Sequence, residues 1–398
     1  MTSQAPSLQT ARPQGAAAAV VHIGNLKTGS TAVQLVLRSL RSELAARGVI
    51  MPGLGKNLTA HYGIRHDIEA GGEQPFLTLM RQEIAAAPAG SRFLITAEPL
   101  IHVPPQTLAR VLSEIGCHDV SLLCYLRPSV AMLGALYLQS AKMGHRRGPI
   151  SAHLDMLSEP PVQFMAAMAR FAEVFGKDRM TLREYHPKAL ADGSVVADFW
   201  DMAGLPADLR ARAIALETRA NPSPTAEVTA VMRACAMALY AGASEAERAE
   251  VEGAPYVFST MAQSMRLIWA EVAAKAARIG GSRFRLPIYI QEAMNARFET
   301  ERAAFARQWF QVPATDDWLH EPVVAPQPLS DIAAAPVVEA LGTALPKLIQ
   351  ADKPTMAASL ETFIAGLPIT GAHLSLAALE SRLAPEAPPV DLTPFLHP

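Results

Sequence analysis

The chain has 398 residues, half of them hydrophobic, with 35 basic and 37 acidic side chains, a formal net charge of -2 and a pI of about 6.6. That balance excludes a general nucleic-acid binder, which would carry a basic excess. The length suits one large domain with extensions, or two domains. The three cysteines, Cys117, Cys124 and Cys235, have no close metal-ligand spacing and read as reduced, buried thiols.

The first residues, "MTSQAPSLQTARPQG", are polar and lack the apolar core of a signal peptide. They read as a disordered lead, assigned to residues 1–17. The stretch "AAAAVVHIG" that follows is too short to cross a membrane. The expectation is a cytoplasmic protein with no transmembrane segment.

Four short, mostly apolar runs read as buried parallel strands: Ala19–Ile23, Arg92–Ala97, Val120–Leu126 and Arg179–Tyr185. Between them, helical spacing runs over Thr31–Arg47, Pro105–Ile115, Ser129–Lys142 and Val162–Phe175. Strands alternating with helices predict an α/β fold, three layers around a central parallel sheet. Ligands of such sheets sit at the carboxyl ends of the strands. Those ends carry the Gly24–Thr31 loop, Glu98, Arg127 and Arg183.

Beyond about residue 220 the pattern turns helical, over Glu227–Tyr240, Tyr256–Ala277 and Pro287–Phe310, where Phe298, Phe305 and Trp309 share a face. Residues 321–398 are rich in proline and alanine and predict a mobile or loosely packed tail. Two short amphipathic helices interrupt it, Val337–Gln350 and Pro354–Ala365.

The segment "VVHIGNLKTGSTAVQ" carries the chemistry. A strand, a glycine-bearing loop and a helix start expose backbone N–H groups toward one point, and the helix dipole adds attraction for an anion. Lys27 supplies a full charge, and Ser30 and Thr31 supply hydroxyls. Gly24 and Gly29 have the spacing of the nucleoside triphosphate loop, but Ser30 stands where that loop has its lysine. His61 and His66, in "TAHYGIRHDI", lack zinc-site spacing. His61 could serve as a base or hold a substrate hydroxyl. The basic loop "GHRRG" could meet an acidic acceptor or the phosphates of a nucleotide.

A lysine two residues ahead of the glycine, in Lys27-Thr28-Gly29-Ser30-Thr31, resembles the sulfotransferases that use 3′-phosphoadenosine 5′-phosphosulfate (PAPS). The resemblance is to their bacterial and carbohydrate or heparan-type members. It implies a P-loop-like fold with a helical part from about residue 220, within a domain spanning 18–320. It implies that Asn25, Lys27, Thr28, Gly29, Ser30 and Thr31 hold the 5′-phosphosulfate, and that Arg127 holds the 3′-phosphate, with Arg183 among the cofactor contacts. The family's serine eight positions after that arginine is Ala135 here. A lost hydrogen bond to a charged group would weaken the hold by about one to two decades. Glu98, in "FLITAEPLI", matches the base of heparan-type members, with His61 as alternative.

Softer matches are "MTLREYHPKALADGSVVADFWDMAGLP", "RANPSPTAEVTAVMR" and "RFETERAAFARQWF". The implied reaction moves a sulfuryl group from PAPS to a hydroxyl of a glycan or small molecule, with adenosine 3′,5′-bisphosphate (PAP) as product and no metal required. Two other readings stay open: a P-loop kinase using ATP and magnesium, and a non-catalytic binding protein. The oligomeric state and the acceptor are left open by the sequence.

Overall fold

The computed structural model describes residues 18–25, 27–55, 58–71, 74–217, 223–253, 259–310, 319 and 321–382. The polar lead therefore lies outside the described residues. The chain forms two compact units. One comprises the described residues of Met1–Arg127 and Phe164–Ala220, the other those of Pro128–Gln163 and Asn221–Pro398. The expected single domain over 18–320 is thus divided differently: Pro128–Gln163 belongs with the C-terminal helices.

The first unit is built on a five-stranded sheet. Its strands are β1 (Ala18–His22), β2 (Val49–Ile50), β3 (Arg92–Thr96), β4 (Asp119–Leu126) and β5 (Met180–Glu184), in the order β2-β3-β1-β4-β5. All pairings are parallel. From Leu122 to Leu126 every residue of β4 is 0–1% exposed, as expected of a strand covered on both faces.

On one face, Leu94, Leu123 and Tyr125 join a cluster with Val33, Val36 and Leu37 of the Ser30–Ser39 helix and Phe199 and Trp200 of the Val195–Met202 helix. Elsewhere in the unit, the Phe164–Phe175 helix packs on β4 and on the Pro105–Glu114 helix. This is the three-layer α/β arrangement that the strand–helix alternation predicts.

Two local differences have simple causes. The expected Thr31–Arg47 helix is two helices, Ser30–Ser39 and Arg41–Ala45, because Leu40 leaves helical geometry at φ -102 and ψ 9. β2 escapes detection from sequence because two residues carry no periodicity.

The second unit holds the helices Ser129–Lys142, Ala226–Gly242, Thr260–Ile279, Ile288–Phe310, Ala334–Gln350 and Pro354–Ala365. A small antiparallel sheet joins β6 (Ile332–Ala333), β7 (Ile369–Thr370) and β8 (His373–Leu374), with β8 in the middle. Of the predicted tail, residues 321–382 are described, and they contribute helices to the core of this unit. Val337, Leu341, Leu348, Met356, Leu360 and Leu374 are buried in one cluster with Val228, Cys235, Met265 and Ile268. Among the described residues, no helix is long and apolar enough to cross a membrane.

Leu341→Ala tests this packing. It should cost about 2–5 kcal/mol in urea unfolding, the range for a leucine removed from a close-packed core. A loosely held tail would leave stability within about 0.5 kcal/mol.

Candidate active site

The sheet brings the C-terminal ends of β1, β3, β4 and β5 to one edge, and the polar residues of the first unit collect there. After β1 the chain turns through Gly24, Asn25 and Lys27 into the Ser30–Ser39 helix. Lys27 adopts φ 63, uncommon for a side-chain-bearing residue. Its carbonyl accepts from Arg127 Nη1 at 3.3 Å, which ties the turn to the end of β4. Thr28 donates from its hydroxyl to the Asn25 carbonyl at 2.5 Å.

Gly29 caps the helix in the left-handed conformation, at φ 78 and ψ 6. A Cβ there would lie 2.8 Å from Val195 Cγ1 and 3.0 Å from Tyr185 Cε2, so space as well as conformation demands glycine. The cap has no side chain to offer and no acidic residue occupies the first turn, so the positive end of the helix has no carboxylate of its own.

Three charges meet at this turn. Burial brings the Lys27 ammonium down to about pH 8 in its titration; Glu98 opposes that shift and Arg127 adds to it. Glu98, at the end of β3, is only 8% exposed. Its Oε2 accepts from the Tyr62 hydroxyl at 2.8 Å and from Gln34 Nε2 at 3.2 Å. Two cations against one carboxylate leave the turn with a positive excess. Ser30 Oγ is buried and has no hydrogen-bond partner among the described residues. Such a donor suits an anion, because an unmet buried hydroxyl costs about 1–3 kcal/mol.

Asn25, Lys27, Thr28, Gly29, Ser30, Thr31, Glu98 and Arg127 therefore share one edge. Arg183 does not open onto the turn. Its guanidinium forms an ion pair with the fully buried Asp198, through Nη2 to Oδ2 and through Nε to Oδ1 at 3.0 Å, and donates to the Ala189 carbonyl at 2.8 Å. Tyr125 also donates to Asp198, at 2.9 Å. At the end of β5 it is Tyr185, two residues on, that reaches Gly29.

His61 is fully buried, and its Nδ1 accepts from the Thr96 amide at 3.1 Å. Burial lowers its pKa to about 4, against the raising effect of the Thr96 and Pro52 backbone. His66 stands in solvent, 71% exposed, 3.7 Å from Asp67.

The other sequence candidates are engaged elsewhere. In "GHRRG", Arg146 pairs with Asp155 at 2.6 Å and Arg147 lies over the Tyr240 ring at 3.8 Å. Ser129 donates to the Val162 carbonyl at 2.8 Å. Ala135 and Ser140 lie on the Ser129–Lys142 helix of the other unit. The cysteines are buried, and burial pushes their thiols up to about 12, which removes them as nucleophiles at neutral pH.

Sequence patterns had not singled out His22, Gln34, Tyr62 or Tyr185. Gln34 and Tyr62 hold Glu98, and His22 lies behind the turn. Gln34 lies one helical turn past Ser30, so its spacing offered a signal. The others offered none.

No protein-family model matches the chain, and no curated protein matches it. Among solved structures it is similar to a sulfotransferase from Alicyclobacillus acidocaldarius, with 15% sequence identity, 50% of this chain and 83% of that chain covered, and a TM-score of 0.34.

Arg183→Leu would strand the Asp198 charge inside the fold. It should lower stability by about 3–5 kcal/mol in urea unfolding, as expected when one partner of a buried pair is removed. A change below about 1 kcal/mol would show that Arg183 is not the structural partner of Asp198.

Proposed function

We propose that the chain is a sulfotransferase that moves a sulfuryl group from PAPS to a hydroxyl acceptor. The observation that carries the proposal is Lys27: a half-buried cation inside a strand–loop–helix turn, placed before the glycine and flanked by Glu98 and Arg127 from the next two strand ends. The donor bound at this turn would supply an activated sulfuryl group on a good leaving phosphate.

The roles of the chain's own groups follow from charge and position. The Thr28–Thr31 backbone, the Ser30 and Thr31 hydroxyls and Asn25 bind the 5′ anion. Lys27 stabilises negative charge that develops on the leaving oxygen. Arg127 provides the cation for the 3′-phosphate. Glu98 takes the proton of the acceptor hydroxyl. Both of its hydrogen bonds fall on Oε2, which orients Oε1 for that task. His61 is the poorer base, since its ring is wholly buried. A carbohydrate acceptor is supported by the match of Glu98 to heparan-type sulfotransferases.

Thermal-shift titration with PAP without metal, and with ATP and magnesium, tests the reading. PAP should raise Tm, and Lys27→Ala should abolish both the shift and transfer from PAPS while leaving the fold intact. A shift with ATP and magnesium alone would establish the kinase reading instead, and no shift with either would favour a non-catalytic protein.

The lowered pKa of Lys27 gives a pH signature. Its charge is lost as pH rises through about 8. Affinity for PAP should therefore fall about tenfold between pH 7 and pH 9, where an ordinary lysine stays charged. Isothermal titration should show this fall in the wild type and not in Lys27→Arg.

A further inference from the structure

His22 ends β1, is wholly buried, and sits edge-on to the rings of Tyr125 and Phe199, 5.9 and 5.3 Å between centroids. Its ring is hydrogen-bonded to Thr96. Gln34 Nε2 donates to the Glu98 carboxylate, which fixes the orientation of that amide. The same Nε2 lies 3.4 Å from Thr96 Oγ1, so the threonine oxygen accepts from Gln34. Its one hydroxyl proton is free to go to His22 Nδ1, 3.0 Å away; with Nδ1 as the acceptor, the ring carries its hydrogen on Nε2.

That Nε2–H is buried and has no hydrogen-bond partner among the described residues. A Cβ built on Gly24 would lie 3.3 Å from His22 Nε2, 3.3 Å from Ser30 Oγ and 3.0 Å from Glu98 Cγ. The second unpartnered buried donor, Ser30 Oγ, therefore faces the same spot. The backbone of Gly24 is not in the left-handed region, so glycine serves here to keep a side chain out of a point that three others already approach. Two buried polar groups that face one point beside a helix N-terminus, without acceptors among the described residues, suit an oxyanion.

We infer that His22 is an anion-binding residue: its Nε2–H and the Ser30 hydroxyl donate to an oxygen of a phosphate or sulfate group seated at Gly24. The inference rests on the proposed function only in needing an anion at this turn, not a nucleotide. Burial holds the imidazole down to about 4, with Glu98 acting the other way, so at pH 7 it offers a hydrogen bond without a charge.

The test uses the full chain, with sodium sulfate and PAP as probes. Histidine ¹H–¹⁵N correlation spectra, assigned with His22→Gln, should show the Nε2–H form of His22 and a shift of that resonance when either anion is added. By calorimetry, His22→Leu should weaken binding about ten- to a hundredfold. His22→Gln, which returns an N–H near the same place, should stay within about threefold of the wild type.

Anion binding that depends on Lys27 but leaves the His22 resonance unmoved would overturn the inference and spare the sulfotransferase reading. A response to sulfate but not to PAP would sustain it and overturn the nucleotide donor. Failure of both anions to bind would overturn both.

Discussion

The pairing of β1 on both sides governs the chemistry of the first unit. Its register with β3 sets His22 opposite Thr96, and its register with β4 sets His22 beside Leu123. The ladder continues past the strands, with Ile23 donating to Leu123 and Ala97 to His22. Side chains alternate along such a ladder, so positions 22 and 24 share a face with 96 and 98. One cross-strand pair, His22 with Thr96, is thus followed two residues on by Gly24 and Glu98. The missing side chain at Gly24 is what leaves the carboxylate and the imidazole a common space.

The same edge is electrostatically unbalanced in a useful way. Lys27 and Arg127 approach each other through the Lys27 carbonyl, and the Glu98 carboxylate lies close enough to act on the lysine. Like charges in a partly buried loop repel, and burial discourages the ammonium, so an incoming anion relieves both costs. The anion would also fill the hydrogen bonding of Ser30. The carboxylate of Glu98 is held by Gln34 and Tyr62.

The second unit shows how composition misleads. Proline and alanine suggest a segment with too little apolar area to order. Yet Val337, Leu341 and Leu348, one and then two helical turns apart, suffice when the Thr260–Ile279 helix lies against them. Alanine between those positions lets helices approach closely, and Ala340 and Ala344 are fully buried. A hydrophobic face is visible in sequence, but the partner that covers it is not.

Most of the sheet was legible in the sequence because strands buried on both faces are continuous apolar runs: the four predicted strands match β1, β3, β4 and β5 within about a residue. The strand–loop–helix turn was legible too, since glycine, lysine and hydroxyl residues at a strand–helix junction have a local meaning. Roles that depend on neighbours far along the chain were not. Arg183 read as a ligand at a strand end, whereas an aspartate fifteen residues away claims it. His22 read as part of an apolar strand, whereas Thr96, 74 residues away, orients its ring. The sequence by itself determined the succession of strands and helices along the chain and the place of the turn, which are properties of consecutive residues. Only the tertiary structure decided which polar groups are satisfied internally and which are left facing the turn, because hydrogen-bond partners are assigned by folding and not by proximity in the chain.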